Sequence, residues 1–176
     1  DETSSSLSGV FLPGDLVGCR GVTQDGKGTD SVVSTAEITL GNKVPEVTSV
    51  SIAPDPATNS DMLTCTVEGS DVDGDPLTES YVWTNSTTGE SLGTEATLAL
   101  TSELASSLDT IACHATLTDP YTASDDGSAS VVLENRTPVV VTTLTPEEPG
   151  VEDTVVCSIE SLDDADGDEV SAGTDP

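Results

Sequence analysis

Residues 36–76 read AEITLGNKVPEVTSVSIAPDPATNSDMLTCTVEGSDVDGDP, and residues 129–169 read ASVVLENRTPVVVTTLTPEEPGVEDTVVCSIESLDDADGDE. The two stretches share an Asn followed three residues later by Pro, an acidic turn that contains proline, a Cys in the next apolar run, and an Asp-x-Asp-Gly-Asp loop. Chance does not place these features at matching offsets twice. The sequence therefore contains an internal repeat with a period of roughly 93 residues, the size of one small domain.

A second alignment extends the repeat toward the N-terminus. The segment DLVGCRGVTQDG around Cys19 matches DTIACHATLTDP around Cys113 at nearly the same period. The repeat divides the chain into three parts: the back half of one repeat in residues 1–41, a complete repeat in 42–135, and the front half of a further repeat in 136–176.

Alternating apolar and polar residues predict β-strands inside the complete repeat. Leu63, Cys65 and Val67 point to one side of a strand, while the residues between them point to the other. Similar short runs recur about every 8 to 12 residues between turn signals, which is typical of an all-β sandwich. Tyr81 and Trp83 alternate in the same way, so we expect them in the core. The predicted fold class is all-β.

The Asp-x-Asp-Gly-Asp loop, the apolar strand with Trp83 that follows it, the Cys pair and the Asn-x-x-Pro junctions together resemble a known family. They look like the tandem immunoglobulin-like (PKD- or cadherin-like) repeats of very large bacterial and archaeal surface proteins. The resemblance covers nearly the whole chain. It implies tandem immunoglobulin-like β-sandwich domains with inter-sheet disulfides, and it pairs Cys65 of the second strand with Cys113 of the sixth.

Cys19 and Cys157 have no partner within their own half-repeats. Cys19 matches Cys113 and Cys157 matches Cys65, so each expects a cysteine from an adjoining domain or chain. Two explanations stay open: the chain is a piece of a longer tandem array, or identical subunits join head to tail through these halves. Four cysteines in such a setting predict an extracellular or cell-surface location.

The two acidic loops are candidate Ca²⁺ sites, because alternating carboxylates supply the hard oxygen ligands that this ion needs. In a sandwich, the first loop shares its end with Asp119, Asp125 and Asp126. The alternative is that Asp and Gly only form turns here. The candidate ligands are Asp71, Asp73 and Asp75 in the first loop, and Asp164, Asp166 and Asp168 in the second.

Composition excludes several classes of function. The 176 residues include 33 Asp and Glu against 4 Lys and Arg, a formal net charge of −29, so the chain cannot neutralise nucleic-acid phosphates. No apolar run approaches the roughly 20 residues of a membrane span. Catalytic motifs such as Gly-x-Ser-x-Gly and His-Glu-x-x-His are missing from the sequence, so we do not expect an enzyme. Asn85 and Asn135 begin candidate N-glycosylation triplets.

These observations predict a structural segment of an extracellular filament, stalk or adhesin built from tandem immunoglobulin-like domains. Its expected partners are neighbouring domains of the same kind, or identical subunits head to tail. The alternative is a Ca²⁺-dependent adhesion module that recognises a glycan or a protein through its end loops. Ca²⁺ is the one cofactor that the sequence suggests.

Overall fold

The computed structural model describes residues 6–23, 26–27 and 32–172, and these residues form an all-β protein. Its strands are β1 (Leu16–Thr23), β2 (Val32–Thr39), β3 (Glu46–Ala53), β4 (Met62–Ser70), β5 (Thr78–Asn85), β6 (Glu90–Gly93), β7 (Thr97–Ala99), β8 (Thr110–Thr118), β9 (Ser124–Val132), β10 (Val139–Thr145) and β11 (Val156–Asp163). The predicted fold class is thereby confirmed at the level of all-β structure. Among the described residues, no helix has the length and apolar character needed to cross a membrane.

The strands form four antiparallel sheets. Two larger sheets, ordered β3-β4-β7 and β6-β5-β8-β9, lie in the middle of the chain, and two hairpins, β1-β2 and β10-β11, lie toward its ends. Strands β3 to β9 all fall between residues 46 and 132, within the complete repeat.

The two larger sheets share one hydrophobic core. Strand β4 alternates buried and exposed residues from Leu63 to Val67, and β8 buries Ile111, Cys113, Ala115 and Leu117 on one face. Such period-two patterns place every apolar side chain of a strand on the face that meets the other sheet. Cys65 of β4 and Cys113 of β8 form a disulfide with a Cα–Cα distance of 6.4 Å, so a covalent bond connects the two sheets through the core.

Strands β6 and β9 include residues for which the sequence pattern predicts turns or loops. Strand β6, Glu90–Gly93, follows directly on the turn Asn85–Gly89 and has no apolar alternation. Strand β9 begins at Ser124 and runs through Asp125, Asp126 and Gly127, which are poor strand formers. Both pair with long central strands, β5 and β8, so hydrogen bonding to a neighbour overrides weak local preference here.

The hairpins β1-β2 and β10-β11 bury little of their surface. Most of their residues are exposed, including large apolar side chains such as Leu16, Ile38, Val140 and Leu144. In β1-β2, Cys19 lies opposite Ala36, as Cys113 lies opposite Ala129 in β8-β9. In β10-β11, Cys157 lies opposite Leu144, as Cys65 lies opposite Ile52 in β3-β4. At the level of its cysteine, each hairpin therefore has the register of one strand pair of the central sheets.

Candidate cation site at the acidic loops

The two acidic loops fold in the same way. In the first, the Gly74 N–H donates to the Asp71 carbonyl (3.1 Å) and the Asp73 N–H donates to Asp71 Oδ1 (2.7 Å). In the second, the Gly167 N–H donates to the Asp164 carbonyl (3.1 Å) and the Asp166 N–H to Asp164 Oδ1 (2.8 Å). Both glycines have a φ of +80°, which favours glycine because it has no Cβ. One carboxylate oxygen of Asp71 and of Asp164 therefore serves the turn itself.

The first loop contributes to a cluster of three carboxylates. One oxygen each from Asp71, Asp75 and Asp119 lies within 4.8 Å of the other two. Asp119 comes from the connection between β8 and β9, and it is 5% exposed. Its Oδ1 accepts the N–H groups of Tyr121 (2.8 Å) and Ala123 (2.9 Å), so the connection holds this carboxylate in place.

Asn42 joins this cluster from the junction before β3. Its Nδ2 donates to Asp119 Oδ2 (2.6 Å), so its amide group lies at the edge of the cluster. Asn42 Oδ1, Asp71 Oδ2 and Asp75 Oδ2 are buried, and none of them accepts a hydrogen bond from a described residue. Buried oxygen atoms are normally paired, and leaving them unpaired is costly.

The pKa directions in this cluster show the same lack of compensation. Burial and the nearby charges of Asp71, Asp73 and Asp119 raise the pKa of Asp75 above its ordinary value. Burial also acts to raise the pKa of Asp119, but hydrogen bonds from Asn42 and from the backbone of Ala123, Tyr121 and Thr122 outweigh it and lower that pKa. Asp75 therefore experiences burial and repulsion without the hydrogen bonds that compensate Asp119.

The cluster has the donor chemistry of a Ca²⁺ site. Ca²⁺ takes six to eight oxygen ligands from carboxylates, amide carbonyls, backbone carbonyls and water. Asp71, Asp75, Asp119 and Asn42 would supply side-chain oxygens of this kind, and a divalent cation would compensate the buried unpaired atoms. The residues present thus fit the ion that the sequence suggests.

Asp73 does not belong to this carboxylate cluster. It is exposed, and its Oδ2 accepts the backbone N–H of Lys43 (2.7 Å). Asp73 therefore connects the acidic loop to the junction residue that follows Asn42. Asp125 and Asp126, at the same end, have other contacts: Asp125 Oδ2 accepts the Val47 N–H (2.8 Å), and Asp126 lies 3.6 Å from the exposed His114.

The second loop brings its three carboxylates together, but a guanidinium lies among them. Oxygens of Asp164, Asp166 and Asp168 lie within 4.8 Å of one another. The backbone N–H of Arg136 donates to Asp166 Oδ2, and its Nε donates to Asp166 Oδ1 (2.7 Å). Asp166 is 2% exposed. The charge of this buried carboxylate is therefore compensated by the protein itself.

Further contacts connect the second loop to the central sheets. Arg136 Nη2 donates to Asn59 Oδ1 (3.0 Å) and to the Ala165 carbonyl (2.6 Å), and Asn59 Nδ2 donates to the Asp166 carbonyl (2.7 Å). The Ser107 hydroxyl donates to Asp168 Oδ2 (2.8 Å). Asn59 and Ser107 belong to loops of the complete repeat, so these contacts hold the second acidic loop against the central part of the chain.

The remaining predicted site residues lie apart from both loops. Cys19 and Cys157 are free thiols and are exposed. Asn85 is 1% exposed: its Nδ2 donates to Asp109 Oδ2 (2.8 Å) and its Oδ1 accepts the Thr87 N–H (3.0 Å). Asn135 is exposed. A glycan on Asn85 would have to replace the hydrogen bond to Asp109, whereas Asn135 offers an accessible amide.

Sequence reasoning did not identify Asn42, Asn59 and Arg136 as parts of these sites. A signal was available for two of them, since Asn42-Lys43 and Asn135-Arg136 occupy matching places in the repeat. Asn59 has no such signal, because it contacts the loop from 107 residues away in sequence.

Comparison of the chain with models of known families, with curated proteins and with solved structures finds no match.

Proposed function

We propose that this chain is a structural segment of an extracellular filament, stalk or adhesin, built from tandem immunoglobulin-like domains and stiffened by Ca²⁺ at one domain boundary. We call the boundary between residues 41 and 42 the first joint, and the boundary between residues 135 and 136 the second joint. The domains would correspond to residues 1–41, 42–135 and 136–176, with the first and last as half-domains. The proposal follows the likeness to immunoglobulin-like repeats of bacterial and archaeal surface proteins. Two face-sharing sheets with a disulfide between them support it.

One observation carries this proposal: the same joint contact occurs twice. The backbone N–H of Lys43 donates to Asp73 Oδ2, and the backbone N–H of Arg136 donates to Asp166 Oδ2. These pairs are separated by 93 residues, the period of the sequence repeat. Each contact fixes the start of a repeat to the middle Asp of that repeat's own acidic loop. Asn59 and Ser107 of residues 42–135 then bind the second loop across the boundary to residues 136–176, which suits a protein whose domains must keep a fixed relation to one another.

Ca²⁺ enters this function at the first joint. Asn42 is the first residue of the complete repeat, where the chain leaves the hairpin β1-β2, and Asp71, Asp75 and Asp119 belong to two loops of the same repeat, so one ion would fix the start of the repeat to these loops. Without the ion, the three carboxylates repel each other and the joint is held mainly by the Asn42 and Lys43 hydrogen bonds. With the ion, the joint becomes rigid.

Exposed cysteines and exposed apolar hairpins favour partners of the same kind. Strands β1-β2 have the register of β8-β9, and β10-β11 have the register of β3-β4, so each hairpin matches one half of the core that the central sheets complete. A neighbouring domain or an identical subunit would supply the other half, with Cys19 or Cys157 in an inter-sheet disulfide. The disulfide already present is consistent with an oxidising, extracellular location.

Thermal unfolding with and without Ca²⁺ tests the proposal. Ligand binding to one site of the folded state should raise the free energy of unfolding by RT ln(1 + [Ca²⁺]/Kd). We expect Asp75→Asn to abolish this rise. In EDTA we expect the same variant to melt at or above the temperature of the wild type, because it removes a half-buried charge that the neighbouring carboxylates repel.

Asp73→Asn is the matched control, because it changes the same loop, keeps an oxygen acceptor for the Lys43 N–H, and lies outside the carboxylate cluster. It should keep the rise with Ca²⁺. Small-angle scattering should show a narrower distribution of shapes in Ca²⁺ than in EDTA for the wild type, and no such difference for Asp75→Asn. If neither the melting temperature nor the scattering profile of the wild type changed with Ca²⁺, the proposed stiffening of the joint by a cation would be refuted.

A further inference from the structure

The two acidic loops differ in whether the protein itself compensates their carboxylates. The first cluster has buried oxygens without hydrogen-bond donors among the described residues, whereas in the second loop both carboxylate oxygens of Asp166 accept hydrogen bonds from Arg136. The residue at the matching place in the first junction is Lys43, and it contacts its loop through the backbone N–H. The two junctions are therefore equivalent in backbone contact and different in side-chain chemistry.

We propose that Arg136 is a built-in cation that closes the second joint without a metal ion, while the first joint needs a divalent cation for the same purpose. The assignment of Ca²⁺ to the first joint rests on the proposed function; the assignment of Arg136 to the second joint rests on its own contacts. One chain thus contains a joint that responds to Ca²⁺ and a joint that does not.

An arginine at position 136 suits this geometry better than a lysine would. Its guanidinium reaches three acceptors in different directions: Asp166 Oδ1, Asn59 Oδ1 and the Ala165 carbonyl. A planar fork of N–H donors can satisfy several fixed acceptors at once, whereas an ammonium group acts as a point charge. Asn59 is 1% exposed and donates in turn to the Asp166 carbonyl, so the guanidinium belongs to a closed network and not to a surface ion pair.

Burial and partners indicate that this network is structurally important. The Asp166 side chain is completely buried, and the Arg136 side chain is one-third exposed. Breaking a buried ion pair on one side leaves an uncompensated charge, which destabilises the state that contains it. Close packing adds to the contact, since a Cβ on Gly167 would lie 3.1 Å from the Ser102 side chain. The second loop should therefore stay in place when divalent cations are removed.

Limited digestion with trypsin in EDTA tests this inference, because the protease must take the Lys or Arg side chain into its own pocket. The chain offers a matched pair of cleavage sites: Lys43 is followed by Val44 and Pro45, and Arg136 by Thr137 and Pro138. We expect cleavage after Arg136 to be slow in EDTA and unchanged by Ca²⁺. Cleavage after the exposed Lys43 should be fast in EDTA.

Two variants release Arg136 from the network. Asp166→Ala removes its main partner, and Arg136→Lys keeps a trypsin site and a positive charge but cannot span the three acceptors. We expect each to speed cleavage at position 136 on the order of tenfold, because the rate follows the population in which the side chain is free. Asp73→Ala, the change at the matching place in the first loop, should leave cleavage at position 136 unchanged.

Ca²⁺ stoichiometry from calorimetric titration gives a second readout. Arg136→Gln removes the guanidinium but leaves the carboxylates of Asp164, Asp166 and Asp168 together, so we expect one additional equivalent of Ca²⁺ to bind. Equal cleavage after Lys43 and Arg136 in EDTA, protection of Arg136 that appears only with Ca²⁺, or an unchanged stoichiometry in Arg136→Gln would each overturn the inference. Slow, Ca²⁺-independent cleavage at Arg136 would stand even if the first joint bound no Ca²⁺.

Discussion

Trp83 of β5 lies directly opposite Cys113 of β8 in the antiparallel register, and both residues are completely buried. Residues that are directly opposite in this way point to the same face of a sheet. The indole therefore occupies the same level of the core as the disulfide, and its Nε1 donates to the Glu95 carbonyl (2.8 Å), which satisfies its only polar atom. The single tryptophan of the sequence thus reports directly on the state of this core.

Reduction of the Cys65–Cys113 disulfide should destabilise the central sheets strongly. The bond closes a loop with a sequence separation of 48 residues. On the chain-entropy model, such a loop contributes about 4 kcal/mol to the free energy of unfolding. We expect the double variant Cys65→Ala/Cys113→Ala to lose about that much free energy of unfolding, measured by denaturant unfolding that is followed through Trp83 fluorescence. The exposed pair Cys19→Ser/Cys157→Ser is the control, and it should leave the midpoint unchanged.

Asn85 should be essential as an amide. Replacing it by Asp places a second buried carboxylate against Asp109, at the position where Nδ2 now donates. Mutual repulsion should raise the pKa of that carboxyl pair in the folded state, so the lost stability returns as the pH falls and grows as the pH rises. We expect a loss of about 1–3 kcal/mol at neutral pH. A melt of Asn85→Asp that matches wild type at pH 7 would contradict this role; exposed Asn135→Asp is the control.

Gly69 should tolerate no side chain. A Cβ at this position would lie 2.4 Å from the Glu46 carbonyl oxygen and 2.4 Å from Leu117 Cδ1. Overpacking of this kind typically costs about 1–3 kcal/mol, because neighbours must move or leave their preferred rotamers. Gly69→Ala should therefore lower the free energy of unfolding by that amount, measured by chemical denaturation. Gly21→Ala in β1, whose Cβ would meet nothing closer than 3.9 Å, should have little effect.

Tyr81 should make the protein less stable at high pH. Burial, together with its hydrogen bond to the Glu79 carboxylate, raises the pKa of the Tyr81 phenol to about 12 from an ordinary value of 10.0. The folded state therefore holds this proton where the unfolded state loses it. The resulting stability is present below pH 10 and is lost as the pH rises toward 12. Tyr81→Phe should show a flatter decline over that interval, and an identical decline in both proteins would contradict the assignment.

The two exposed thiols should pair selectively. Oxidised glutathione can accept the two electrons and two protons released when two thiols form a disulfide, and it becomes two reduced thiols in exchange. If the hairpins complement one another as proposed, purified chains should form mainly Cys19–Cys157 links between copies. A non-reducing peptide map by mass spectrometry would show them. Equal amounts of Cys19–Cys19 and Cys157–Cys157 links would indicate random collision.

The sequence predicts the elements whose pattern is local and misses those that depend on distant partners. Strands β4 and β8 follow from simple alternation around Cys65 and Cys113, and Asp71 and Asp75 follow from the loop motif. Strand β9 does not, because Gly127 weakens a strand locally. In the fold, this glycine allows close approach to β3, where a Cβ would lie 2.9 Å from Val50 Cγ2. That benefit arises only when the two strands meet.

The same limit applies to the acidic loops. Their spacing predicts six equivalent ligands, but it contains no information on which carboxylate the preceding junction contacts. Asp73 accepts a backbone N–H and Asp166 binds a guanidinium, and of the six loop carboxylates only Asp71 and Asp75 keep buried oxygens without a donor among the described residues. The difference depends on residues outside the motif: Asp119 joins the first cluster, whereas Arg136 and Ser107 bind carboxylates of the second loop.

Strand lengths at the sheet margins also determine where such a protein is prone to aggregate. Unpaired N–H and C=O groups at an open margin recruit strands from other molecules. The central sheets end in β6 and β7, which have only 4 and 3 residues, and their other marginal strands, β3 and β9, contact each other. The terminal hairpins instead have strands of 7 or 8 residues. Association through the margins of the central sheets is therefore suppressed, and strand exchange with other molecules is directed to the two hairpins.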